Sequence, residues 1–251
     1  MKASRAERVL PDAPVTIDGW ANFFDDLAPR YEAAAFGGAG LAAVGARELA
    51  AVRAALSARS PGRVLDAGAG SGRITDACSM LGWSVTALDA SSAMVARLRT
   101  RRPSLPVLHA PLGTSRLPLA SSTFDAVVSL RVLKYVDDLD AALAELARVL
   151  RPGGIAVLEF ANRRSVARFG YRDAPVRLAT VHSFERALTR SGIEPTARVA
   201  GPRLPQPVWK HARSRPAARA AGACDRVIGA ALGGDRTAMA ARSVIVVGRR
   251  T

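Results

Sequence analysis

One stretch constrains this chain more than any other: Val64-Leu65-Asp66-Ala67-Gly68-Ala69-Gly70-Ser71-Gly72-Arg73. A short apolar segment of strand character runs into three glycines at alternate positions, and a helical pattern follows. Glycine lets a backbone turn sharply and come close to a ligand, and the first turn of the helix presents N–H groups that have no partner within the helix. The run therefore reads as a strand, a tight turn and a helix built around a nucleotide-like ligand. A dinucleotide fingerprint G-x-G-x-x-G would need a further glycine at 73 or 75, where Arg73 and Thr75 stand, which weakens that reading. Asp89, at the end of the next strand-like run, places a carboxylate where it can accept hydrogen bonds from both hydroxyls of a ribose.

Around this turn, strand-like and helical runs alternate. Strands are expected at 64–67, 84–89, 106–110, 126–130 and 155–160, with helices at 73–81, 92–102 and 139–150. Downstream come a helix at 184–191 ended by Gly192, a strand at 194–200 and a last strand at 243–248. Upstream, 19–36 and 41–57 carry apolar residues at three- and four-residue spacing and read as amphipathic helices. The expected architecture is α/β, a Rossmann-like doubly wound sheet of seven strands. It is mostly parallel with an antiparallel last strand, and an N-terminal helical cap precedes it. Residues 1–60 are assigned to the cap and 61–251 to a cofactor-binding domain carrying a basic insert at about 201–242.

Composition bears on partners. Of 251 residues, 49% are hydrophobic and 23% charged, which suits a globular domain and excludes a disordered or collagen-like chain. The formal net charge is +15, and it is uneven: residues 1–150 carry 17 basic and 15 acidic side chains, residues 151–251 carry 19 and 6. Such a one-sided field favours an anionic partner. Cys78 and Cys224 belong to no C-x-x-C pair, so no zinc site or disulfide framework is readable and buried thiols are expected. The charged start Met1–Leu10 has no apolar run behind it and no stretch is long and apolar enough to span a membrane, so a cytoplasmic protein is expected.

Four ordered motifs carry a resemblance: LDAGAGSG at 65–72, ALDAS at 87–91, LPLASSTFDAVVSLRVLKYV at 117–136 and LARVLRPGGIAVLEF at 146–160. Together they resemble the class I S-adenosylmethionine-dependent methyltransferases, in particular the small-molecule branch with the ubiquinone and menaquinone enzymes. FDDLAPRYE at 24–32, which includes Phe24 and Tyr31, looks like the segment that closes over the cofactor in that branch. The resemblance implies that Asp66, Ala67, Gly68, Gly70 and Gly72 shape the pocket for the methionine part of the cofactor. Asp89 would hold the ribose, while Ala90, Ser91 and Met94 would border the adenine. Ser129, Leu130 and Arg131 would face the amino-acid end and the reacting methyl. Two departures stand out. Where many relatives carry an acid for the adenine amino group, this chain has His109-Ala110-Pro111-Leu112, leaving backbone groups of Ala110 or Leu112 to substitute. Where relatives often carry two histidines, it has Lys134-Tyr135.

Methyl transfer from a sulfonium is an in-line displacement that needs alignment and exclusion of water, and a base only when the nucleophile is protonated. Tyr135, Lys134, His182, Tyr31 and Asp25 are candidates for that base, none singled out, and no metal site is expected. Phe24, Arg131, Tyr135, His182 and Trp209 are candidates for the acceptor pocket. If strand 194–200 is parallel and 243–248 antiparallel, the insert begins at the ligand-binding end of the sheet, and its bases are expected over the mouth of the site. They include Arg203, Lys210, His211, Arg213, Arg215, Arg219, Arg226, Arg236 and Arg242, against Asp225 and Asp235. The leading expectation is a methyltransferase acting on a small anionic acceptor, free or tethered to an acidic carrier protein. An RNA methyltransferase whose insert grips phosphates, and a cofactor-binding protein without turnover, are the alternatives.

Overall fold

Strand β1 (Arg63–Ala67) is buried along its last four residues, which is the fate of a central strand whose two faces are both covered by helices. In the computed structural model, which describes residues 16–165 and 176–251, it pairs in parallel with β2 (Ser84–Asp89) on one side and β4 (Phe124–Ser129) on the other. With β3 (Val107–His109), β5 (Leu150–Ala161), β6 (Ile193–Ala200) and β7 (Ser243–Arg250) these make one seven-stranded sheet in the order β3-β2-β1-β4-β5-β7-β6. β7 runs antiparallel to both of its neighbours. The expected α/β doubly wound sheet with an antiparallel last strand is therefore the architecture observed.

Alternation along the strands sends neighbouring side chains into two cores. Leu65, Val127, Leu158 and Val246 face α6 (Leu139–Val149) and α7 (Val181–Arg190), with Phe160 stacked on Phe184 at 4.4 Å. Val64, Val128, Val157 and Ile245 face α3 (Ala39–Ser57) and α4 (Arg73–Met80), against Val52, Leu56 and Ile74. α5 (Ser92–Arg101) packs Val95 and Leu98 beside Ala87 and Val107. Each such side chain, withdrawn wholly from water, contributes roughly 1.5–3 kcal/mol.

The segment read as one helix over 19–36 is broken. α1 (Ile17–Leu27) is followed by a 3-10 turn, Ala28–Arg30, and a short α2 (Tyr31–Phe36). Pro29 explains the break, since it has no N–H to continue an α-helical ladder and its ring crowds the preceding turn. The helix read as 184–191 begins earlier, at Val181, because Thr180 and Ser183 exchange hydrogen bonds as a capping box.

The insert contains α8 (Gln206–His211), α9 (Arg215–Leu232) and α10 (Gly234–Ala240). Its body lies on α3 instead of over the mouth of the site. Trp209, Ala212, Ala218 and Ala221 pack against Leu41 and Val44, and Gly40 is forced, because a Cβ there would lie 2.1 Å from the Trp209 carbonyl oxygen. The fully buried Asp225 carboxylate accepts from the Arg203 and Leu204 amides at 2.7 and 3.1 Å and from the Arg47 guanidinium at 2.8 Å. Cys78 is buried as expected, while Cys224 is exposed on α9, which corrects the expectation of two buried thiols. Among the described residues no single helix is long and apolar enough to cross a membrane.

Candidate functional site

At the carboxyl end of β1 the chain turns through Gly68 and Gly70 with φ of +86° and +52°. The two glycines are required for different reasons. A Cβ on Gly68 would lie 2.0 Å from Cγ2 of Val132, whereas a Cβ on Gly70 would meet only the Tyr31 ring, at 3.9 Å. Gly70 therefore faces open space, and its backbone forms the floor of a cavity. Beside it, the Asp89 carboxylate accepts from the Gly70 amide at 2.7 Å and the Ser91 amide at 2.9 Å. Burial pushes this carboxyl up from its ordinary value, and these amide bonds work against the rise. A carboxylate has about four acceptor positions, so it keeps acceptor capacity for hydroxyl donors in the cavity.

The roof comes from α1 and the segment after β4. Ile17, Trp20, Ala21 and Phe24 recur at helical spacing on one face of α1 and line the cavity with Tyr31 and Tyr135. Trp20 and Phe24 lie 4.4 and 5.3 Å from the Tyr135 ring. The space enclosed, open solvent included, is about 680 Å³. Asp25 holds the roof down: its carboxylate accepts from the Ser91 and Ser92 hydroxyls at 2.5 and 3.0 Å and from the Ala93 amide at 2.9 Å. Burial acts to raise the Asp25 pKa, and those three bonds outweigh it and keep the carboxyl below its ordinary value. Asp25 is thus a clasp on the start of α5.

Arg131 closes one end. It adopts a left-handed conformation, φ +64°, which is costly for a non-glycine residue and persists only where its surroundings hold it. Its amide donates to Glu159 at 2.8 Å, and its guanidinium donates to Glu48 of α3 at 2.8 Å. The other oxygen of Glu48 takes Arg73, at 2.5 Å, and both guanidinium groups lie over the Phe36 ring, at 4.6 and 4.5 Å. Burial would lower the Arg131 pKa, and the two glutamates raise it further than burial lowers it, so it stays charged.

Residues 65–158 match a family model described as a methyltransferase domain. The chain is 33% identical to a demethylmenaquinone methyltransferase of Renibacterium salmoninarum, over 72% of this chain and 74% of that protein. The chain belongs to the class I S-adenosylmethionine-dependent methyltransferases. It is also 41% identical to a malonyl-[acyl-carrier protein] O-methyltransferase of Enterobacter lignolyticus, over 43% of each chain. Against several of these relatives it spans only about two to three fifths of their length, from 42% to 58%. Among solved structures, the [4+2]-cyclase SpnF aligns with a TM-score of 0.69 at 19% identity, covering 96% of this chain and 98% of that one, a likeness of fold.

Within this methyltransferase fold, Tyr31, Gly68, Gly70, Asp89, Ala90, Ser91, Met94, Ala110, Leu112 and Leu130 from the sequence expectation all line the cavity, as do Phe24, Arg131 and Tyr135. Asp66, Ala67, Gly72 and Ser129 lie behind it. Asp66 accepts from the Thr75 hydroxyl at 2.6 Å, Ser129 donates to the Ala67 carbonyl at 2.8 Å, and Gly72 starts α4. Two expected pocket residues are elsewhere. Trp209 is buried on α3 under the Arg47 guanidinium, 5.1 Å from its ring, and His182 is exposed on α7. His109 is exposed too, with Nε2 2.9 Å from the Ala90 carbonyl oxygen. The Ala110 amide is committed to the Asp89 carbonyl at 3.0 Å and is no free donor for an adenine. Sequence reasoning missed Ile17, Trp20, Ala21, Leu88, Val132 and Val136; the spacing of 17, 20, 21 and 24 was the available signal for the first three.

Proposed function

We propose that the protein transfers a methyl group from S-adenosylmethionine to a small anionic acceptor, free or carried by an acidic protein. The observation that carries the reading is the Asp89 carboxylate, braced by two amides beside the open face of Gly70 and under an aromatic roof. When bound, the cofactor would supply an electrophilic methyl carbon on a sulfonium, with a neutral thioether as the leaving group. This chain's residues then have three tasks. Asp89 would receive the ribose hydroxyls. Met94, Ala110 and Leu112 would flank the adenine, with the Leu112 amide the donor left to it. Trp20, Phe24 and Tyr135 would exclude water and align the acceptor, which is where most of the acceleration of such a transfer arises. Tyr31 is no base at neutral pH, because burial pushes its phenol up from the ordinary value. The relative named for a malonyl-[acyl-carrier protein] substrate supports an acceptor of this class. A carrier also suits the exposed Arg213, Arg215, Arg219 and Arg226 of the insert.

Calorimetric titration with S-adenosylhomocysteine tests the site. Gly68→Ala is expected to abolish binding, since its Cβ has no room, and Asp89→Ala to weaken it at least tenfold. Gly70→Ala should cost roughly 1–2 kcal/mol, the strain of a left-handed alanine. Equal affinities for the three variants and the parent would refute this placement. Formation of S-adenosylhomocysteine from S-adenosylmethionine in a mixture of carboxylate metabolites and acylated carrier protein tests turnover; none formed would refute it.

A further inference from the structure

A second, smaller cavity lies on the far side of Arg131, lined by Lys134, Glu159, Gln206, Arg242 and Ser243. It sits where β4 and β5 end and β7 begins, the end of the sheet at which ligands of such folds bind. Arg131 lines both cavities, so they share a wall. Among the described residues Arg131, Lys134 and Arg242 line this space with one carboxylate, Glu159; Arg131 is paired with Glu48, and Glu159 accepts from the Arg131 amide.

Arg242 is the decisive side chain. Its Nε is shut off from solvent and has no hydrogen-bond partner among the described residues. Its backbone, by contrast, is held on both sides: the amide donates to the Pro202 carbonyl at 2.7 Å, and the carbonyl accepts from the Asn162 amide at 2.9 Å. The Asn162 side-chain amide donates in turn to the Met239 and Ala241 carbonyls at 2.7 and 2.8 Å, which fixes the entry into β7. A guanidinium N–H buried without an acceptor is costly, and the residue that carries it lines a polar cavity on a backbone held at both sides.

We propose that this cavity is a carboxylate-binding subsite for the acceptor. In it Arg242, with Lys134 and the Ser243 hydroxyl, pairs with a carboxylate while the reacting atom reaches past Arg131 into the cofactor cavity. The assignment rests on the methyl-transfer reading above. A planar carboxylate matches the fork of a guanidinium, and its single charge sits better beside Glu159 than the double charge of a phosphate. Arg242 is a substrate-binding residue in this account, and Arg131 positions the wall between the two subsites.

The test is calorimetric titration of the full chain, saturated with S-adenosylhomocysteine, with malonate, succinate and inorganic phosphate in turn. A dicarboxylate is expected to bind, and phosphate at least tenfold more weakly. Arg242→Gln should lower dicarboxylate affinity at least tenfold and leave S-adenosylhomocysteine affinity within twofold, while Arg242→Lys recovers part of the loss. An unchanged melting temperature shows that the variants are folded, as expected for a side chain without internal hydrogen bonds. Dicarboxylate binding that is absent, unaffected by Arg242→Gln, or weaker than phosphate binding overturns the subsite. Failure of the parent protein to bind S-adenosylhomocysteine instead overturns the methyl-transfer reading on which it stands.

Discussion

Asp66 is a buried carboxyl held far from its ordinary protonation range. It is 1% exposed, and burial raises its carboxyl from the usual range to about 7; hydrogen bonds from Thr75 oppose the rise and the nearby Asp89 charge adds to it. In the unfolded chain the same group ionises near 3.8. Between those values the folded state keeps a proton that the unfolded state has lost. The stability linked to Asp66 is therefore complete below pH 4 and is lost as pH rises through 7, by at most about 4 kcal/mol. Asp66→Asn should remove that decline, so urea unfolding at pH 4 and pH 8 should show the variant gaining on the parent at the higher pH. Parallel changes in both proteins would mean that Asp66 is ionised in the fold throughout. Gly68 and Gly70 make a related point. Both are needed in the turn, but only the structure distinguishes the one crowded by Val132 from the one open to the cavity.

α1 is the element that converts a cleft into a closed site, and two forces hold it. Its apolar face, Ile17, Trp20, Ala21 and Phe24, covers the cavity, and Asp25 on its far edge caps α5. A carboxylate at a helix N-terminus is stabilising, and losing such a cap costs about 1 kcal/mol. Asp25→Ala should leave the fold intact yet loosen α1, lowering S-adenosylhomocysteine affinity severalfold. It should also open Trp20 to quenching by acrylamide, a readable signal because Trp20, Trp83 and Trp209 are all buried in the parent. Unaltered quenching would mean that the apolar face alone holds the helix. The pairing of Asp25 with Ser91 was not legible beforehand: 66 residues separate them, and nothing local marks an acid on an amphipathic helix as a cap for another helix.

For the whole molecule, the charge of +15 has a structure of its own. Among the described residues of the C-terminal half, Glu159, Glu185 and Asp225 are used as internal ties. Asp225, fully buried, joins Arg203 within the insert to Arg47 of α3. Removing one member of a buried pair leaves the others charged without a partner, so Asp225→Ala is expected to cost about 3 kcal/mol. For a chain of this length that corresponds to a Tm lower by roughly 6–12 °C. Thermal unfolding within 2 °C of the parent would show that apolar contacts with Trp209 suffice to hold the insert.

The sheet, its two cores and the glycine turn were readable in the sequence because they follow from local rules: alternation along strands, helical spacing, and the steric freedom of glycine between them. Of the expected residues that line the cavity, Gly68, Gly70, Asp89, Ala90, Ser91 and Leu130 belong to the four motifs and are brought together by that same local geometry. Tertiary structure alone decided what the long-range pairs do. Trp209 went into a separate apolar cluster on α3, apart from the two cores of the sheet, and Glu48 reached across 83 residues of chain to hold Arg131. Arg242 lines a second cavity with a buried Nε that has no partner among the described residues. Such roles depend on which surfaces meet when helices dock, and docking is set by the summed burial of many side chains, a quantity that no short window of sequence contains.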